Sequence, residues 1–599
     1  MGNITTTLPA LTNSNDSKKG TQPKLPRAHS AKPKVIYPQG FAGRSDGIWF
    51  SASSDGNPSR VCGQITFVAM TRDENGNNWG IELAWPDRDG REHHRSFPLS
   101  LLSGDTSQVR AALLDGGCWV SSSPQGKIKF AELLGGVIIE ARALAVDKVG
   151  WAGPVFVLPH MTIGDSPSNR VIYQSADEPE HSFGSKGDIG GWQSLVAYNA
   201  IGNSRLILAI SLAFVGPLLA LLGEEGGGLN LRGPSSTGKS TALFVAASVW
   251  GPPAFVHQWR ATSNGIEGIC VQHSEVLLCL DELAQLNPAE AAFIAYMIAN
   301  GSGKARANRH GSLRRSAKWR VPFLSSGEIS LADLAGRDAK GGKRSAAGQE
   351  IRILDVPADA GAGMGLFENL HDAPSADAFA RQIKSGTETA YGVAGPAFVQ
   401  QLVSHFDGID RTAKRKMDEF VAENLPQGAN GQVSRALRRF ALIAAAGEMA
   451  IHFGIVPWPK GEANKACATI FRQWLDGRGG SGSAEDREAI NRVRGFLEMH
   501  GGSRFEPVEA IDDSVRIHNR AGFWRDTDTG REFLFLAEAW KTEVCAGMDA
   551  ARVAKTLAEQ GYLRKDSAGK NSITVTLPGL GKSRCYAVSA RIFESDVGA

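Results

Sequence analysis

An α/β fold is expected at the centre of this 599-residue chain, with a β-rich domain before it and a small helix-and-hairpin domain after it. Three segments predict it. In "LNLRGPSSTGKSTALFVAASVW" an apolar strand runs into a glycine-bearing loop and then an apolar-periodic helix. In "EVLLCLDEL" a buried-strand pattern ends in an acidic pair, and in "WRVPFLSSGEISL" a third apolar run ends in two serines. Apolar strands alternating with helices, with polar groups gathered at strand ends, are the pattern of open parallel sheets, whose ligands bind outside the strand C-termini.

The length exceeds what one core accommodates, so three or four folded units are expected. With 42% hydrophobic and 21% charged residues the chain reads as soluble and globular, and a net charge of +3 confines any nucleic-acid surface to a local patch. Seven cysteines lie scattered without a CxxC pair, which argues against a zinc site or disulfide framework and suits a cytoplasmic setting. Residues 1–38, rich in Ser, Thr, Asn, Pro and Lys, are expected to be a disordered basic tail without a signal pattern.

Residues 39–185 form the expected β-rich domain. Alternating runs such as "GQITFVAM" and "NWGIELAWP" are separated there by the turn sequences "DENGNN" and "DRDG". Residues 186–475 carry the α/β core and a helical lid. Its most apolar stretch, Leu206 to Leu222 with Pro217 inside, is short for a membrane span and reads as a buried helix pair, so no membrane partner is expected. The Gly/Ser linker 476–486 leads to the last domain, 487–599.

The strongest motif is Gly233-Pro234-Ser235-Ser236-Thr237-Gly238-Lys239-Ser240, continued by Thr241, a full Walker A pattern in the strand–loop–helix setting that its mechanism needs. The glycines let the loop wrap, and backbone N–H groups at a helix N-terminus face the phosphates. ATP with Mg²⁺ is the expected ligand: Lys239 reaches the β- and γ-phosphates and Ser240 holds the metal. Asp281 then supports Mg²⁺, and Glu282 orients and polarises the attacking water. Ser326, ending the third strand, is placed to sense the γ-phosphate. Arg352, in "GQEIRILDVP", reads either as an exposed pair with Glu350 or Asp355 or as an arginine finger reaching a neighbouring subunit's ATP.

Between the acidic pair and the third strand lies "GKARANRHGSLRRSAKWR", in which Lys304, Arg306, Arg309, Arg314, Arg315, Lys318 and Arg320 meet no acidic residue. It reads as two short arms around "HGS", with charges suited to tracking phosphates without reading sequence.

The order of these motifs resembles the AAA+ ATPases, most of all the minichromosome-maintenance and superfamily-3 helicase branch. More closely, "GWAGPVFVLP", "GPSSTGKST", "TSNGIEG", "LDELAQ", "NGSGKARANRHG", "SSGE" and "SRALRRFALIAAAGEMA" resemble a family of prophage and mobile-element proteins long labelled a domain of unknown function. That family is related to the helicases of staphylococcal cassette chromosomes, and the resemblance spans roughly residues 40–475. It implies a homo-hexameric ring that hydrolyses ATP and moves on single-stranded DNA threaded past the basic arms. It also implies a separate primase or initiator partner, since no primase-like domain precedes the core.

By the same resemblance Arg352 falls where the arginine finger is expected, and Arg435 or Arg438 where the lid's sensor arginine is expected. The C-terminal "MDAARVAKTLAEQGYLRKDSAGKNSITVTLPGLGKSRCYAVS" resembles a winged helix, with Arg552, Lys555, Lys565, Lys570, Lys582 and Arg584 as duplex phosphate contacts. A protein-remodelling AAA+ machine and a nucleotide-gated initiator without strong unwinding are the competing readings. Replacing Arg309, Arg314 and Arg315 with neutral residues is expected to weaken binding to all single strands alike. It should lower the slope of log affinity against log salt by about 0.7 per lost contact, measured by titrating labelled oligonucleotides at several salt concentrations.

Overall fold

The computed structural model describes residues 34–53, 56–166, 170–175, 181–304, 306–307, 313–314, 316–336, 352–478, 480, 484–509 and 517–594. Residues 1–33 of the expected tail, Arg309 and Arg315 of the basic run, and residues 479 and 481–483 of the expected linker lie outside the described residues. The chain divides into two compact units, the first ending at Leu144 and the second beginning at Ala145. Residues 145–185, grouped by sequence with the β-rich domain, belong to the second unit.

In the first unit Thr66–Arg72, Gly80–Pro86 and Glu92–Pro98 form an antiparallel meander, and Arg142 to Leu144 pair parallel with its first strand. Alternation buries Phe67, Ala69 and Thr71 and leaves Val68, Met70 and Arg72 half-buried. The two expected turns join these strands. Asp73 accepts the N–H groups of Asn75 and Asn77 at 3.0 and 2.7 Å, and Asp87 those of Asp89 and Arg91 at 2.9 and 2.8 Å. Helices Ser107–Asp115 and Pro124–Gly136, and a second sheet of Phe41–Arg44, Gly47–Phe50 and Ser59–Cys62, complete this unit.

The second unit is built on five parallel strands: β1 (Gly227–Arg232), β2 (Val256–Gln258), β3 (Leu278–Asp281), β4 (Pro322–Gly327) and β5 (Ile353–Pro357). Their order is β2-β3-β4-β1-β5, so β1 pairs with both β4 and β5. One face, with Leu229, Leu231, Leu324 and Val356, packs on α1 (Lys239–Ala247) and on the bent pair Ser204–Ala213 and Gly216–Leu222. The other, with Leu278, Leu280, Phe323 and Ile353, packs on α2 (Ser263–Gln272) and α3 (Pro288–Asn300). Right-handed crossovers produce this division, because stepping out from β1 and stepping back through β3 and β4 place helices on opposite faces.

The bent pair turns by 58° where Pro217 begins its second helix, and every residue of Ser204–Ala213 is buried. No single described helix is long and apolar enough to cross a membrane. After β5 come five helices. The last two are α4 (Gly431–His452) and α5 (Glu462–Gly477), which pack on each other and on the Ser204–Ala213 helix.

Beyond α5, helix Ala484–His500, helix Ala550–Glu559 and the hairpin Ile573–Leu577 with Gly581–Ser589 follow the helix-then-hairpin expectation. A second hairpin, Gly522–Thr527 with Gly530–Leu536, was not read from the sequence. Of the basic residues proposed there, Arg552 lies 4.0 Å from Asp486, Lys555 3.7 Å from Glu559, and Arg584 donates to Ser572 at 2.8 Å.

A short meander (Gly150–Ala152, Val155–Leu158, Met161–Ile163) is fastened to the α/β core by Glu275. This buried carboxylate accepts the Trp151 N–H at 2.8 Å and pairs with Arg320 at 3.2 Å, while Trp151 Nε1 donates to Pro217 O at 2.7 Å. Deeper still, His273 Nδ1 bonds Leu277 O at 2.8 Å and its Nε2 meets His257 Nε2 at 3.1 Å. Burial first, then repulsion from His257, holds the His273 pKa down at about 3. The ring is therefore neutral in the folded protein, whereas in the unfolded chain it titrates near ~6.5. Its contribution to stability is complete above that pH and is lost as pH falls toward the folded value, by up to about 1.4 kcal/mol per pH unit. His273→Asn keeps a donor toward Leu277 O and should flatten this part of the acid slope, as measured by urea unfolding at successive pH values.

Candidate active site

The loop after β1 is shaped by its backbone. Gly238 takes φ 94° as it caps α1, and Ser236 takes φ 65°. Gly233 N–H donates to Gly327 O at 3.1 Å, tying the loop to the end of β4. On its other side Leu366 N–H donates to Thr237 O at 2.8 Å, and Gly365 packs so closely that a Cβ there would lie 2.8 Å from the same oxygen. The Lys239 ammonium lies inside the loop's curve, donating to Gly233 O at 2.8 Å and Pro234 O at 2.7 Å. A cation there, at the positive end of α1, makes a site for phosphate oxygens.

β3 brings its acidic pair to the same edge. Ser240 Oγ on α1 lies 3.4 Å from Asp281 Oδ2, while Ser326 Oγ on β4 donates to Asp281 Oδ1. Glu282 N–H reaches both Asp281 Oδ1 at 3.1 Å and Ser326 Oγ at 3.3 Å. These bonds hold Glu282 in the left-handed region, φ 61° and ψ 65°, with its side chain exposed. A hydroxyl and a carboxylate converging at one point fit Mg²⁺, which takes one or two protein oxygens and completes its shell with phosphates and water. Ser240, Asp281, Ser326, Lys239 and Glu282, expected separately from sequence, thus lie together.

Arg352 does not join them. It precedes β5, where Ile353 pairs with Gly228, so it is level with the start of β1, roughly 20 Å along the strand from the Gly233–Lys239 loop at ~3.3 Å per residue. Its guanidinium lies over the Tyr296 ring at 4.4 Å, and its carbonyl accepts from Arg439 at 2.8 Å. One turn earlier on α3, Phe293 lies beneath Lys304 at 4.9 Å, and Lys304 also donates to Ser263 at 3.0 Å. The main chains at Arg306 and Arg314 are register partners in a short antiparallel ladder, the two arms expected of the basic run.

The α4 arginines separate. Arg435 Nε donates to Gly431 O at 3.1 Å in the first turns of α4, near Gln432, which lines a cavity of about 210 Å³ with Arg232 and Pro357 at the phosphate end of the sheet. Arg438 pairs with Glu224 at 2.5 Å, before β1 begins. Arg439 is buried against Gly226 and the Arg352 carbonyl, and burial lowers its pKa to about 10.

Sequence reasoning missed three supports. Arg205, fully buried, donates to Asp359 O at 2.8 Å, Pro357 O at 3.3 Å and Gln473 Oε1 at 2.5 Å, bracing the segment behind the phosphate loop. Asn230, in the middle of β1, donates to Asp355 at 2.6 Å, and Trp259 donates to Ser325 at 2.9 Å. Only Asn230, a polar residue inside "GLNLR", left a visible signal.

Residues 41–319 match a family described as a domain of unknown function (DUF927). No curated protein matches the sequence. Among solved structures, one described as "SCCmec type IV Cch - active helicase" superposes with a TM-score of 0.67 at 18% identity, covering 93% of this chain and 99% of that one. The two share a fold over nearly their whole lengths. The A-form apo structure of the NrS-1 C-terminal region aligns at 10% identity over 88% of this chain and 96% of that one, with a TM-score of only 0.26.

Strain at Glu282 is open to direct measurement. A non-glycine residue in the left-handed region costs about 1–2 kcal/mol. Glu282→Gly should therefore be more stable than Glu282→Ala by roughly 1 kcal/mol, read by thermal or denaturant unfolding.

Proposed function

We propose that this protein is an ATP-driven DNA translocase or helicase that works as a ring of identical subunits. The observation that carries the reading is the division of the sheet. Lys239, Ser240, Asp281, Glu282 and Ser326 gather at its C-terminal edge, while Arg352 stands at the opposite edge beside the exposed rings of Phe293 and Tyr296. An arginine so placed serves the phosphates of a second subunit. The fold shared with a protein described as an active helicase, and the basic arms between β3 and β4, favour DNA as the track.

In this reading the loop N–H groups and Lys239 hold the β- and γ-phosphates. Ser240 and Asp281 hold Mg²⁺, which when bound neutralises phosphate charge. Glu282 orients a water and takes its proton as that water's oxygen bonds to the γ-phosphorus and the bond to the ADP oxygen breaks. Arg352 of the adjoining subunit offsets the charge growing on the transferred group. Ser326, bonded to both Asp281 and the Glu282 N–H, keeps the two carboxylates in register. Arg435, toward the phosphate end of α4, is the lid arginine we assign; Arg438 is engaged by Glu224 at the other end.

Lys239→Ala should lose nucleotide binding. Glu282→Gln should bind nucleotide yet hydrolyse it about a hundredfold or more slowly, with single-stranded DNA raising the wild-type rate. Mixing Arg352→Ala with Glu282→Gln subunits should restore activity, because some interfaces then combine an intact Glu282 with an intact Arg352. A mixture with proven subunit exchange that never exceeds the sum of its parts rules out the composite site.

A further inference from the structure

The core of the first unit closes without three of its tryptophans, Trp49, Trp79 and Trp119. Trp49 and Trp119 stand outside the cluster formed by Phe67, Trp85, Phe97, Phe130 and their neighbours, and Trp119 is 42% exposed. Each carries a guanidinium instead. Arg44 lies over the Trp49 ring at 4.8 Å, and Arg60 over the Trp119 ring at 4.9 Å.

The two pairs form one surface. Trp49 and Arg60 are cross-strand partners in the sheet of Phe41–Arg44, Gly47–Phe50 and Ser59–Cys62. Asp46 accepts from Trp49 Nε1 at 2.9 Å and lies 3.9 Å from Arg60 Nε, and the Trp119 carbonyl accepts from Gly63 N–H at 2.6 Å. Arg44, Trp49, Asp46, Arg60 and Trp119 therefore make a continuous strip across the three strands of this sheet and onto the Trp119 segment beside the last of them.

We propose that this strip is a stacking site for single-stranded DNA, a second contact separate from the basic arms. The proposal rests on the reading that the protein acts on single strands. Indole faces bind unpaired bases with little regard to sequence, and guanidinium groups beside them meet the phosphates between those bases. A duplex, whose bases are stacked on one another, offers such rings nothing. A docking site for an apolar protein surface has no need of a cation on each ring, so charge complementarity favours the nucleic acid.

The test uses the full-length protein and an oligo(dT) probe in a titration at several salt concentrations. Trp49→Leu and Trp119→Leu should each weaken binding at least about fivefold without changing the salt slope, while Trp119→Phe, which keeps a π face, should restore most of the loss. Arg44→Gln should instead lower the slope by about 0.7. Affinity for a blunt duplex and basal ATPase should remain at wild-type level in all four, which also reports correct folding. If the wild type binds oligo(dT) and both leucine variants bind it equally well, the strip is not a DNA site, although the functional reading stands. If the wild type does not bind oligo(dT), both fall together. Leucine variants that weaken duplex and single strand alike would also overturn stacking.

Discussion

The parallel pairing of β1 with both β4 and β5 is the constraint on which the rest of the site depends. It lines up Arg232 with Gly327 on one side and with Pro357 on the other, so the Gly233–Lys239 loop leaves the sheet between two fixed neighbours. Gly327 supports the loop by its carbonyl, and the segment following Pro357 supports it through Leu366. The same registers set Ser326 beside the end of β3 and set Arg352 at the far edge. One pattern of strand hydrogen bonds thus decides both what is assembled and what is kept apart.

Polar groups inside the fold reinforce that pattern. Asn230 ties β1 to β5, Ser325 on β4 receives Trp259 from beyond β2, and Arg205 ties the helical layer to the end of β5. Each is buried, and a buried polar group left unmatched costs about 1–3 kcal/mol. Misaligned strands would leave these groups unmatched, so the bonds penalise other registers more than they add to stability. Arg205 is the extreme case, a guanidinium whose pKa burial pulls down while Glu368 opposes the shift.

The candidate site was legible because its residues lie in contiguous motifs with the spacing that phosphate binding would require. Lys239 and Ser240 must follow a loop of fixed length, and Asp281 with Glu282 must end a buried strand. Arg205, Trp259 and Glu275 left no such mark, because their partners are distant in sequence and nothing local announces the contact. The break after Leu144 was equally hidden. The strands on either side share one alternating pattern, and only tertiary packing sends Gly150–Ile163 to the second unit. Hairpin Gly522–Leu536 escaped because its turn, "TDTG", interrupts a run that reads as one polar stretch.

Glu275 carries a different kind of consequence, for how much change the chain tolerates there. Its backbone sits at φ 59°, which favours glycine, asparagine or aspartate. Its carboxylate must also reach the Trp151 N–H and Arg320 together, which glycine cannot do and aspartate is too short to do. Its main chain is pressed against Gly216, where a Cβ would lie 2.5 Å from the Glu275 carbonyl oxygen. The carboxylate thus ties the meander to the stem of the basic segment, while the main chain beneath it is packed against the helix bend. Three parts of the molecule that look independent along the sequence therefore meet at one residue.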